Sequence, residues 1–144
     1  YNVAAAACGT LGSTGTYSVS ATGSVFGGVA GQNLVITAPI NLPNGAIITK
    51  LRFSAIDNAT ESITVSLLAL NSSTGTLTTI RTATTAGAVN ALVVTTLDVL
   101  PAPAPIDNAT NAYIIRAGWV CPTTLANIQI RSVGVEYTVA SPLP

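Results

Sequence analysis

The sequence predicts an all-β protein, a single jelly-roll-like antiparallel β-sandwich of about eight strands with an N-terminal extended arm. Three observations lead there. Apolar residues recur with a period of two in segment after segment, the spacing that turns every second side chain toward a buried sheet face. Clusters of Gly, Pro, Asn and Asp interrupt these segments at about the 8 to 12 residue spacing of sandwich proteins. No window sustains the 3.6-residue apolar period of a helix. A chain of 144 residues fits one domain that buries its own core.

Residues 1–32 read as the arm and 33–144 as the sandwich. Within the arm, Tyr17, Val19, Ala21, Gly23 and Val25 alternate with Ser18, Ser20, Thr22 and Ser24, which predicts one strand over 17–25. Glycines on both sides, Gly12 to Gly15 and Gly27-Gly28, mark joints. Two outcomes are open for this strand. It pairs as the first strand of its own domain, or it is donated to a neighbouring copy, with Tyr17, Val19, Ala21 and Val25 filling an acceptor groove.

The sandwich follows with a strand from Asn33 to Ile40 and a turn at Leu42-Pro43-Asn44-Gly45. In the next strand, Ile47 to Ile56, Leu51, Phe53 and Ala55 face inward. After a turn at Asp57 to Thr60, Ser62 to Leu70 puts Ile63, Val65 and Leu67 on one face. Thr76 to Thr85 is Thr-rich and exposed on one side. Ala91 to Leu100 precedes an extended link at Pro101, Pro103 and Pro105. Tyr113, Ile115, Ala117 and Trp119 then alternate toward the core. The last strand, Asn127 to Val139, slips phase at Arg131-Ser132, where a β-bulge is expected. The pentapeptide Ile56-Asp57-Asn58-Ala59-Thr60 recurs at Ile106 to Thr110, which reads as two equivalent turns.

Composition narrows the function classes. Charged residues are 7% of the chain, against about 25% in an average protein, and the net charge is zero. So few charges supply little repulsion between copies, which implies a surface covered by other copies, by glycans, or by both. The five basic residues, Lys50, Arg52, Arg81, Arg116 and Arg131, form no cluster, so nucleic acid is not an expected partner. No apolar run approaches the roughly 20 residues of a membrane span. The chain opens on Tyr1 and reads as a secreted product after signal-peptide removal, placed outside the cell or at its surface. Cys8 and Cys121 suggest a bridge, which within one chain would close a loop worth about 4 to 5 kcal/mol in the chain-entropy model. A bridge to a neighbouring copy and two buried free thiols are the alternatives.

From Leu42 to Val139 the chain resembles a group of uncharacterised secreted bacterial β-sandwich surface proteins. The resemblance lies in Leu42-Pro43-Asn44-Gly45-Ala46-Ile47-Ile48-Thr49-Lys50-Leu51, Asp57-Asn58, Ile63 to Leu68, Ile106-Asp107-Asn108 before Tyr113, and Val133-Gly134-Val135-Glu136-Tyr137-Thr138-Val139. It implies a jelly-roll-like fold and an extracellular setting, and no reaction.

The residues of catalysis are sparse. Without His, neither a Ser-His-Asp nor a Cys-His arrangement is possible. A glycosidase would need two of Asp57, Glu61, Asp98, Asp107 and Glu136 facing one cleft, and Asp57 and Asp107 are the pair to watch. No cofactor is expected. Calcium is the one plausible ion, with oxygen ligands offered by Asp57, Asn58 and Glu61 and by Asp107 and Asn108, although ordinary turn chemistry explains these residues as well. Asn58, Asn71 and Asn108 head Asn-X-Ser/Thr sequences in turns, a pattern this chain's Ser and Thr content also produces by chance.

The expectation is therefore a non-enzyme that works through its surfaces. The first candidate is a structural subunit of an extracellular filament or pilus-like polymer, with copies of itself as partners. The alternative is an adhesin, a carbohydrate-binding module or a phage-fibre receptor-binding domain, which should show a concave, aromatic-lined face.

Overall fold

The structure, a computed structural model, describes residues 2–4, 9–10, 16–85, 89–98 and 105–139. Cys8, Pro101 and Pro103 lie outside these residues.

Among the described residues eleven strands form two antiparallel sheets. They are β1 (Asn2–Ala4), β2 (Gly9–Thr10), β3 (Tyr17–Val19), β4 (Val25–Gly27), β5 (Asn33–Ile40), β6 (Ile47–Asp57), β7 (Thr64–Asn71), β8 (Leu77–Thr84), β9 (Val89–Asp98), β10 (Asn111–Val120) and β11 (Ile128–Thr138). The first sheet runs β3-β4-β11-β6-β9, with β1 also on β11. The second runs β2-β5-β10-β7-β8. From β4 to β11 the chain changes sheet at every connection except the β7–β8 hairpin. Eight strands connected in this way, ordered β4-β11-β6-β9 and β5-β10-β7-β8, make a jelly roll.

The period-two pattern produces the core directly. Leu34, Ile36, Ala38 and Ile40 of β5 and Tyr113, Ile115, Ala117 and Trp119 of β10 face Leu51, Phe53 and Ala55 of β6 and Ile128, Ile130, Val133 and Val135 of β11. Burying one such aliphatic side chain is worth about 1.5 to 3 kcal/mol, so the pattern itself selects this register over a one-residue slip. The expected bulge is present, since β11 and β6 shift register between Ile130 and Ser132. The inward phase thus changes along β11 while Ile128, Ile130, Val133 and Val135 all stay buried.

The N-terminal segment departs from expectation. Residues 17–25 are a hairpin, β3 and β4, and not one strand. The Ser20 hydroxyl accepts from the Ser24 amide at 3.1 Å, the Ser20 carbonyl accepts from Gly23 at 2.9 Å, and Gly23 takes φ +77°. Local side-chain hydrogen bonding plus a left-handed glycine outcompetes extension. Of the four residues expected to fill a groove, Tyr17, Val19 and Ala21 are exposed, while Val25 is fully buried beside Ile130 of the same chain. β1 and β2 also pair within this sandwich, on β11 and β5.

The repeated pentapeptide does not form equivalent turns. Asp57 ends β6 and is buried, whereas Asp107 lies in the turn before β10. The second copy behaves as an Asx turn, with Asp107 accepting from the Ala109 amide at 3.0 Å and the Thr110 hydroxyl at 2.6 Å. These bonds, that of Thr110 foremost, hold the Asp107 carboxyl below its ordinary range.

A groove on the outer face of the second sheet

β10 lies at the middle of its sheet, between β5 and β7. Its inward residues are core, so Ala112, Ile114, Arg116, Gly118 and Val120 project outward. Gly118 stands opposite Val35 on β5 and Thr64 on β7, and Arg116 opposite Thr37 and Ser66. An open groove of about 380 Å³ runs over Gly118. Asn33 and Val35 wall it on one side, and Ser62, Thr64 and Ser66 on the other. Arg116 and Val120 border it along β10. The far wall is stiffened by a hydroxyl ladder to β8, with Ser66 to Thr82 at 3.1 Å and Thr64 to Thr84 at 3.4 Å.

The glycine at the floor is not required by the fold. A Cβ at Gly118 would meet its nearest neighbours, the Leu34 carbonyl oxygen and a Val35 methyl, at 3.6 Å, an ordinary contact. Its φ is not among the positive ones. Glycine inside a strand costs roughly 0.5 to 1 kcal/mol relative to alanine and often marks where a ligand or another backbone comes close. Gly27 shows the contrast. A Cβ there would overlap the Cys121 sulfur and stand 2.8 Å from the Cys121 Cβ, so packing alone explains that glycine.

A second groove, about 480 Å³, occupies the other end of the same face, over Pro39, Asn41, Asn108, Asn111 and Ile114. Four residues of β10, about 13 Å at about 3.3 Å per residue, separate Gly118 from Ile114, and Arg116 lies between them. The amides here hold the loops together. Asn108 Nδ2 donates to the Leu42 carbonyl at 2.9 Å and the Asn44 side chain accepts from the Asn108 amide at 3.0 Å.

Arg116 is exposed and has neither an ion pair nor a hydrogen bond among the described residues, whose two ion pairs are both on the other sheet. Trp119, expected in the core, is buried there at 4% exposure. Its indole Nε1 is buried in the core and has no partner among the described residues. Hydroxyls, an amide and the guanidinium line the groove together with Val35 and Val120. Signals for this site were present in the sequence. Gly118 interrupts an alternating strand, and Arg116 is the one charged residue in β5, β7 and β10. Neither could be placed on a face beside Ser66 and Asn33 until the strand order was known.

The remaining candidate residues are dispersed. Asp57 and Asp107 sit at opposite ends of the sandwich. Asp57 closes β6 beside Ile128, whereas Ile106, next to Asp107, bonds Ala46 ahead of β6, about 33 Å away at about 3.3 Å per residue. They cannot share a cleft. Asp57 accepts from the Thr85 hydroxyl, which accepts from the Ile63 amide at 2.9 Å. The other carboxylate oxygen of Asp57 has no partner among the described residues. Asn58 and Glu61 follow in the loop, both half-buried, and Glu61 accepts from the Thr60 hydroxyl at 3.2 Å. No three His, Cys, Asp or Glu side chains gather among the described residues. Asn71 Oδ1 accepts from the Ser73 and Thr74 amides at 3.0 and 2.9 Å, ordering the β7–β8 hairpin. Cys121 is a buried thiol whose ionisation burial pushes up.

No family model matches the chain, and no curated protein sequence does. Solved structures do resemble it. A family 6 carbohydrate-binding module, studied for its binding sub-sites, aligns at TM-score 0.57 and 13% identity over 96% of this chain and 94% of that one. The exo-β-1,3-galactanase of Phanerochaete chrysosporium, solved with galactose, aligns at TM-score 0.54 and 10% identity over 94% of this chain but only 29% of the enzyme. At these identities the likeness is one of fold, an all-β sandwich shared over nearly the whole chain.

Proposed function

We propose that this protein is an extracellular, non-catalytic carbohydrate-binding domain whose sugar lies along β10 in the groove over Gly118. The observation that carries the reading is that glycine. It lowers the floor of a groove lined by hydroxyls, an amide, a guanidinium and the valines Val35 and Val120, at a position where a Cβ would make only ordinary contacts. Sugars present hydroxyl groups that exchange hydrogen bonds with just such a lining. The fold likeness to a carbohydrate-binding module over almost all of both chains supports it. The extracellular setting belongs to the same proposal, since structural polysaccharides lie outside cells. No helix among the described residues is long and apolar enough to cross a membrane.

Affinity electrophoresis against a panel of neutral and acidic polysaccharides tests the reading. The protein should be retarded by at least one of them, and Gly118→Val should remove the retardation without loss of fold. A chain retarded by none, or a Gly118→Val variant retarded as strongly as the parent, would refute it.

Self-assembly is the second reading, and one feature favours it. The edge strand β8 exposes most of its residues, including Leu77 at 47%, and little net charge opposes edge pairing. It predicts polymers of the native protein by light scattering or electron microscopy. Dispersed monomers at high concentration would dismiss it.

A further inference from the structure

The two sheets divide the charge unequally. The first carries Lys50, Arg52 and Arg131 against Asp57, Asp98 and Glu136, which cancel. The second carries Arg81 and Arg116 and no acid in any of its five strands. The other two carboxylates, Glu61 and Asp107, are in loops. Arg116 and Arg131 have no ion pair among the described residues, and of the two Arg116 stands in the middle of the grooved face. Lys50 and Arg52 by contrast share Glu136 at 3.2 and 2.8 Å.

Resting on the carbohydrate reading above, we propose that Arg116 selects acidic polysaccharide, a chain whose sugars carry uronate carboxylates. The guanidinium is a planar fork that meets a carboxylate with two parallel hydrogen bonds, a match an ammonium group lacks. Arg116 lies between the two grooves of the face, so a chain lying along β10 would cross it whichever groove its ends occupy. No acid in the strands of this sheet repels the uronate at Arg116, and the nearest in sequence to the groove linings, Glu61 beside Ser62 and Asp107 beside Asn108, sit in loops. The hydroxyls and the amide near Arg116 offer such a charged, hydrated sugar further hydrogen bonds.

The full chain is titrated at low salt with polygalacturonate and with the same polymer fully methyl-esterified, which keeps the sugars and removes the charge. The expected result is at least tenfold tighter binding of the free acid, weakened by added salt. Arg116→Gln should cut that preference tenfold or more, and Arg116→Lys should restore it only in part. Arg131→Gln, an exposed cation on the other sheet, should keep it. Equal binding of acid and ester, or an undiminished preference in Arg116→Gln, overturns the uronate assignment and leaves the carbohydrate reading standing. Tighter binding of dextran sulfate than of polygalacturonate overturns it in favour of sulfated sugar. Absence of binding to every acidic and neutral glycan overturns both.

Discussion

On the outside of one sheet, Lys50 and Arg52 converge on Glu136, and Ser54 and Ser132 share a hydrogen bond of 2.7 Å beside them. On the outside of the other, Arg116 stands beside hydroxyls and a glycine with no ion pair among the described residues. Both faces are built on the same alternation, and both back onto the same core. On the first face Glu136 is satisfied by its two basic neighbours, although Arg131 on the same sheet has no ion pair among the described residues. The second leaves a cation and an opened strand surface for something else to meet. Inward residues are chosen by packing in both sheets, so the outward residues hold the functional information.

Paired substitutions sharpen this contrast. The largest effect is expected where a glycine is structural. Gly27→Val should force the β3–β4 hairpin off Cys121 and cost about 1 to 3 kcal/mol, the usual range for overpacking. Thermal unfolding would report the loss, and a thiol reagent would find Cys121 more accessible. Gly118→Val, the same change in the other sheet, should leave stability within about 0.5 kcal/mol and lower glycan affinity by tenfold or more, about 1.4 kcal/mol. If Gly118→Val unfolds the protein as readily as Gly27→Val, Gly118 is structural and the contrast fails.

Ser66→Ala should act more gently. It removes one groove hydroxyl and one rung of the ladder to Thr82, and a two- to fivefold loss in affinity by calorimetry is expected, about the worth of one neutral hydrogen bond. The smallest effect belongs to the face that carries Glu136. Hydrogen bonding from Lys50, followed by the charges of Lys50 and Arg52, holds the Glu136 carboxyl below its ordinary range. A carboxyl depressed in the folded state adds stability that is present above its unfolded-state value and is lost as pH falls through the folded one. Glu136→Gln should therefore flatten part of the acid limb of the stability profile and leave glycan affinity alone. Asp107, depressed by its own turn, keeps its own contribution to that limb.

How far the sequence reached can be traced to these same residues. The inward sets of β6, β7, β10 and β11 were legible because one-sided burial forces period two. The Arg131 bulge was legible because the phase visibly broke. The β3–β4 hairpin was hidden, although Ser20 and Gly23 are turn residues, because they happened to fall in phase with the alternation around them. Asp57 looked like Asp107 by local sequence, and only the Thr85 hydroxyl, 28 positions away, makes it a buried group. The groove was the least legible part. Gly118, Ser66 and Asn33 belong to three strands far apart in the chain, and their outward faces meet only through the β5-β10-β7 order. Long-range pairing of this kind leaves no trace in any short window.

The most direct test of the account is an amide chemical-shift map of the protein titrated with the polysaccharide it retains best. Shifts concentrated at Asn33 and Val35, at Thr64 to Ser66 and at Arg116 to Val120, with Lys50, Arg52 and Glu136 unmoved, are the predicted result. Shifts centred on the Lys50–Glu136 face, or confined to the loops, would contradict it.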